Sequence, residues 1–265
     1  MTVGFFDSGI GGISVLEKAA SQLTHNRFLF YADSAHVPYG TKSKQQIIEY
    51  VDHAVQFLHN QGADVIVLAC NTATSAAANY LREKYPFPIL GMEPAVKVAS
   101  KTLDDNHEQK IIVTATELTL KLEKLDRLIQ RLGVVDSVEE LSLQRLVHFA
   151  ENGIFEGEEL NVYLKNQLNS CNIEHASALV LGCTHFTFYK TLIHHVLCDL
   201  TGRSIPVVDG NEGTVNHLAT MISDDFAEDQ PLSQRIRFFE SDTEVPFAKY
   251  DHLLKRAHYE NAGGW

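Results

Sequence analysis

The chain has 265 residues, enough for one large domain or two modest ones, and two are expected. Its 34 acidic residues against 22 basic ones give a formal net charge of −12, with no basic run to follow a polynucleotide, so nucleic acid is excluded as the expected partner. No apolar stretch approaches the roughly 20 residues of a membrane span, and Met1 to Asp7 has no basic-then-apolar leader, so the expectation is a cytoplasmic protein without a membrane partner.

Short apolar runs alternate with amphipathic segments from the beginning of the chain. Val3 to Phe6, Phe28 to Ala32, Val65 to Ala69 and Ile89 to Leu90 read as strands, which predicts α/β architecture with largely parallel sheets. The clearest helix runs from Ser43 to Gln61. There Ile47, Ile48, Val51, Ala54, Val55 and Leu58 recur at helical spacing behind a Ser43-x-x-Gln46 capping box, and Gly62 ends it. A second series follows through Ile111 to Val113, Val134 to Val135, Ala178 to Leu181 and Ile205 to Val208. Asp104 to Gln109 reads as a polar surface loop, and Asn261 to Trp265 as a loose tail.

The two series repeat one another in residues. Val65-Ile66-Val67-Leu68-Ala69-Cys70-Asn71-Thr72 aligns with Ala178-Leu179-Val180-Leu181-Gly182-Cys183-Thr184-His185, so each half offers an apolar strand, a cysteine and then polar side chains. In open α/β sheets the ligand lies beyond the carboxyl ends of the strands, where Asp7, Cys70, Thr114 and Cys183 all fall. With four cysteines and no Cys-x-x-Cys pair, a reducing compartment leaves free thiols.

Asp7-Ser8-Gly9-Ile10-Gly11-Gly12 follows a strand and precedes an amphipathic stretch. Its glycines can let backbone N–H groups point at an anion, a carboxylate included, although a plain β–α turn has the same composition. Cys70 is expected where a strand turns into a helix, whose free N–H groups lower a thiol pKa, and Cys183 is expected in the same kind of position. Cys171, in a polar loop, and Cys198, on the apolar side of a helix, read as structural. Although His194-His195-x-x-Cys198 invites zinc, no complementary ligand pair stands at structural-zinc spacing, so no metal is expected.

These residues together resemble the glutamate racemases of the aspartate/glutamate racemase superfamily, over essentially the whole chain. The resemblance is carried by Asp7 to Gly12, Ala32-Asp33 with Pro38-Tyr39-Gly40, Cys70 to Thr74, Glu93-Pro94, Ala115-Thr116 with Thr119, Glu151, and Gly182 to Phe186. It implies two similar, pseudo-symmetric α/β domains with the active site at their interface, residues 1–95 with 209–265 forming one and 96–208 the other. It also implies interconversion of L- and D-glutamate without a cofactor, for peptidoglycan, and a possible homodimer. By position, Cys70 and Cys183 match the catalytic bases, and Asp7, Glu151 and His185 their assistants. Ser8, Pro38, Tyr39, Gly40, Asn71, Thr72, Thr116, Thr119 and Thr184 match the substrate-binding set. This chain departs from the pattern at Val113 to Thr116, followed by Lys121 and Leu125, and at Asp209-Gly210-Asn211.

Racemisation needs a base on one face of Cα and an acid on the other, and two thiols on opposing walls supply both. A racemase for aspartate or another amino acid shares that geometry, because the thiols read only the α-carbon. An amino-acid sensor without turnover and a thiol-redox protein are the readings from other classes, the latter requiring cysteine Cα atoms under about 7 Å apart.

Overall fold

Four of the apolar runs in the first third of the chain pair side by side. In a computed structural model that describes residues 1–104, 108–223 and 230–263, they are β1 (Thr2–Asp7), β2 (Arg27–Ala32), β3 (Val65–Leu68) and β4 (Ile89–Gly91). Between them run α1 (Ile13–Gln22), α2 (Lys44–Asn60) and α3 (Asn71–Lys84), and each returns the chain so that the next strand pairs in parallel. After α4 (Val96–Ala99) a second sheet begins, with β5 (Lys110–Ala115), β6 (Val138–Ser142), β7 (Ala176–Leu181) and β8 (Val207–Asp209). Its helices are α5 (Glu117–Lys121), α6 (Glu123–Leu132), α7 (Arg145–Glu151), α8 (Glu158–Leu168) and α9 (Lys190–Thr201).

The last segment contributes α10 (Asn211–Ala219), α11 (Leu232–Arg235), β9 (Ile236–Glu240), β10 (Thr243–Val245) and α12 (Asp251–Asn261). Here β9 adds in parallel to β2, and α10 and α12 pack on α1, so this segment lies against the first sheet. The strand orders are β10-β9-β2-β1-β3-β4 and β6-β5-β7-β8, with only the β9–β10 pairing antiparallel among the described strands. Helices cover both faces, which is why β3 is buried at all four positions and its sequence shows no polar alternation. One apolar cluster runs from Phe5 and Phe30 of the first sheet to Leu179, Phe186 and Phe188 of the second half. The two sheets therefore meet through packed core as well as around a cleft.

Local signals in the sequence explain the best-defined helix. The Ser43 hydroxyl accepts from Gln46 N at 3.3 Å while Gln46 Oε1 accepts from Ser43 N at 3.1 Å, a reciprocal capping box at the start of α2. Gly62, at φ +98°, closes its far end.

Several expectations shift. Val134–Val135 is not a strand: Gly133 ends α6 in the left-handed region, Val135 begins a 3-10 turn to Ser137, and the strand starts at Val138. Asn261 is no loose tail, because it closes α12 with its amide donating to Ser14 O at 2.9 Å and Glu17 Oε2 at 2.6 Å. Residues 105–107 of the expected surface loop and 264–265 of the expected tail lie outside the described residues. The repeat is also imperfect, since α3 starts directly after Cys70 whereas a 3-10 segment, Thr184–Tyr189, separates Cys183 from α9.

The glycine before Cys183 has a packing reason that Ala69, before Cys70, does not share. A Cβ on Gly182 would lie 2.6 Å from the Thr114 carbonyl oxygen, too close for backbone to yield cheaply. Gly182→Ala is therefore expected to cost about 1–3 kcal/mol in urea unfolding. Gly213→Ala, inside α10 with open space around it, should gain about 0.5–1 kcal/mol.

Candidate active site

The carboxyl ends of β1, β3, β5 and β7 open onto one cleft. Its walls bring together Ser8, Pro38, Tyr39, Gly40, Cys70, Asn71, Thr72, Thr116, Cys183, Thr184 and His185, with Gln144 and Val147 added from the segment around α7. The cleft is nearly filled, with only about 10 Å³ of free space, and Cys70 and Cys183 are only 5% and 8% exposed. Both sulfurs thus face a closed site built from both sheets.

Asp7, at the end of β1, is fully buried, with Oδ1 accepting from Gly9 N and Oδ2 from the Thr184 hydroxyl, each at 3.0 Å. Burial pushes its pKa up to about 6, although His185 and these donors oppose the rise. The Cys70 thiol donates to Ser8 Oγ at 3.5 Å, and Ser8 Oγ lies at the same 3.5 Å from Asp7 Oδ1. On this wall a thiol stands beside a carboxylate.

Cys70 does cap α3, accepting from Ala73 N at 3.4 Å, but its thiol is not activated by the helix. Burial first, and the negative Asp7 second, push its pKa up to about 12, against weaker opposition from Ser8 and Ala73. The expected lowering fails because a single long contact to sulfur does not replace the lost water.

Cys183 meets a different neighbour. Its sulfur lies 3.8 Å from His185 Nδ1, while Nε2 of the same ring lies 2.6 Å from Glu151 Oε1. Burial works against a charged ring, but hydrogen bonds to Cys183 and Glu151 outweigh it and hold the His185 pKa well above its ordinary 6.5. Burial likewise opposes ionisation of Glu151, yet the His185 bond and Ile10 N, which donates at 2.9 Å, bring its pKa below the usual carboxylate range.

The glycine-rich turn serves the protein's own groups. Gly9 N and Ile10 N bind the Asp7 and Glu151 carboxylates, so the expectation that these amides cradle a bound anion is corrected for both. Close approach explains the glycines: a Cβ on Gly9 would fall 1.9 Å from Glu151 Oε1, and one on Gly11 would fall 2.7 Å from His185 N. Glycine is what lets the second half reach this turn.

The threonines form a closed triangle. Thr72 Oγ1 lies 2.8 Å from Thr119 Oγ1 and 3.2 Å from Thr116 Oγ1, with Thr116 and Thr119 2.9 Å apart. Thr116 also caps α5 through Thr119 N at 3.3 Å. Thr114, expected at the site, instead turns its hydroxyl to Val180 O at 2.8 Å within the sheet. The Tyr39 hydroxyl is held by Asp33 Oδ2 at 2.6 Å, which gives Asp33 its place beside the site. Asn71 Oδ1 is buried with no hydrogen-bond partner.

Gln144 and Val147 were not singled out in the sequence. They lie in Leu143-Gln144-Arg145-Leu146-Val147, which reads as ordinary amphipathic helix, and nothing local separates a cleft-facing glutamine from a solvated one. Cys171 and Cys198 lie away from the cleft, and Cys198 Sγ contacts His194 Nε2 at 3.5 Å. A larger recess of about 740 Å³, bordered by Lys44, Arg82, Lys121 and Lys124, contains neither Cys70 nor Cys183.

Comparison with known proteins places the chain in a family. The family model for Asp/Glu/Hydantoin racemase matches residues 12–218. A glutamate racemase from Campylobacter curvus is 43% identical over 249 residues, covering 92% of this chain and 91% of that protein. One from Halothermothrix orenii is 42% identical, covering 96% and 99%. Among solved structures, glutamate racemase from Campylobacter jejuni superposes with a TM-score of 0.77 at 27% identity, covering 98% of both chains. The Escherichia coli glutamate racemase in complex with L-glutamate and the activator UDP-MurNAc-ala gives 0.74 at 25% identity, covering 92% of this chain and 98% of that one. The chain belongs to the Asp/Glu/Hydantoin racemase family.

Proposed function

We propose that this protein interconverts L- and D-glutamate without a cofactor, with Cys70 and Cys183 exchanging protons at opposite faces of Cα. The observation that carries the reading is that both cysteines line one closed cleft, each with a different ionisable partner. Its reach to glutamate is supported by relatives at 42–43% identity over more than nine-tenths of both chains, each a glutamate racemase.

The partners give the two sulfurs different starting roles. Beside Asp7, Cys70 keeps its proton and is the donor, while the Cys183 sulfur, facing the charged His185 ring, takes the proton from Cα. After one turnover the roles are exchanged, and the opposite enantiomer is the substrate that fits. Asp7 assists Cys70 through the Ser8 hydroxyl, which lies between them. Ser8, Asn71, Thr72, Thr116, Thr119 and Thr184 hold the groups on Cα, donors fixed before charge develops being the effective ones. Pro38, Tyr39 and Gly40 shape the wall along the substrate side chain.

The same reading assigns residues 1–95 with 209–265 to one domain and 96–208 to the other. It also includes a homodimer, a cytoplasmic location and a supply of D-glutamate for peptidoglycan, as the resemblance implies. Among the described residues no helix is long and apolar enough to cross a membrane.

Two experiments test the chemistry. Cys70→Ser and Cys183→Ser should each lower racemisation, followed by circular dichroism, about 10²–10⁴-fold, with Cys171→Ser and Cys198→Ser close to wild type. Full activity in either of the first pair contradicts the two-thiol mechanism. In the pH profile, Asp7 must be ionised to hold the Ser8 and Thr184 hydroxyls in place, so kcat/KM should fall as pH drops through about 6. Asp7→Asn should remove that acidic limb at a reduced rate, and a limb that survives the substitution unchanged would assign it to another group.

A further inference from the structure

We propose that Gln144 binds the distal carboxylate of the substrate and so sets the preference for side-chain length. The proposal rests on the racemase reading above and adds to it a residue that none of the family motifs contains.

Both polar atoms of the Gln144 amide, Oε1 and Nε2, are shut off from water without a hydrogen-bond partner. Side-chain amides buried with both ends unmatched are uncommon in folded proteins, because each lost bond to water goes uncompensated. The amide lies directly on Gly40, where a Cβ would fall 2.6 Å from Oε1 and 3.2 Å from Nε2, and both residues line the cleft. Gly40 is thus the residue that admits this side chain to the site, and the site is where its missing partner would stand.

Position selects the partner. Ser8 contacts Cys70, Asn71 and Thr72 follow it, and Thr184 and His185 follow Cys183, so these groups surround a carbon placed between the sulfurs. Gln144 belongs to neither sulfur's neighbourhood in sequence and faces Gly40 instead, which leaves it for the end of the substrate side chain. The Nε2–H of a neutral amide bonds a carboxylate without adding another charge to a site already backed by the carboxylates of Asp7 and Glu151. An aspartate side chain is one methylene shorter, and a substrate that stops short leaves the amide unmatched.

Kinetics and melting of Gln144→Met and Gln144→Glu, with glutamate and aspartate in both configurations, test this. For Gln144→Met the expected result is a glutamate KM about 10-fold higher or more, with kcat changed less than about 3-fold and a narrower glutamate-over-aspartate preference. The unliganded Tm should stay level or rise, since an unmatched polar group is removed, while the Tm increase produced by D-glutamate shrinks. Gln144→Glu should raise KM further at neutral pH and recover part of the loss as the pH is lowered and the new carboxyl is protonated. Unchanged KM and unchanged ligand-induced Tm shift in either folded variant would overturn the proposal, and would leave an ordered water as the partner of the amide. A wild-type protein that racemises no glutamate would overturn the racemase reading and this one with it.

Discussion

A buried line of charge ties the first strand of one sheet to the segment that follows Cys183. Asp7 accepts from Thr184, Ile10 donates to Glu151, and Glu151 holds His185, so five residues from three separate segments fix one another beside the cleft. Ionised side chains taken out of water are costly unless paired, and here each one has a partner of opposite character or a backbone N–H. The glycine-rich turn makes the arrangement possible, because any side chain at Gly9 or Gly11 would occupy the space of Glu151 or His185.

That network makes a nearly symmetric pair of strands chemically unequal. Cys70 and Cys183 follow equivalent apolar strands, yet one thiol stands near a carboxylate and the other beside an imidazole held in its charged form. The −12 net charge of the chain would repel a dicarboxylic amino acid at a distance. Inside the cleft, the charged ring and the unpaired Nε2 of Gln144 offer what the overall charge does not.

The strands were largely legible in the sequence because a sheet covered on both faces demands continuous apolar runs, and α2 was legible because its capping box and 3.6-residue spacing are local signals. The cysteine pair could be read because the strand-plus-cysteine unit recurs. What failed depended on distance in sequence. Val134–Val135 has strand-like composition, but Gly133 and the 3-10 turn consume those residues before pairing starts. The glycine turn read as an anion cradle because the carboxylate that fills it, Glu151, lies 141 residues further on. Helix position argued for a low Cys70 pKa, whereas burial, which no local pattern reports, decides it. Gln144 gave no signal at all, since only the folded neighbourhood of Gly40 distinguishes it from a surface residue.

The most direct measurement of the central claim is the titration of the His185 ring by nitrogen NMR in the unliganded protein. A charged ring pinned between Glu151 and Cys183 should titrate well above 6.5, and Glu151→Gln should bring its pKa down. A ring that titrates at or below 6.5 and is indifferent to Glu151→Gln would contradict the proposed asymmetry of the two thiols.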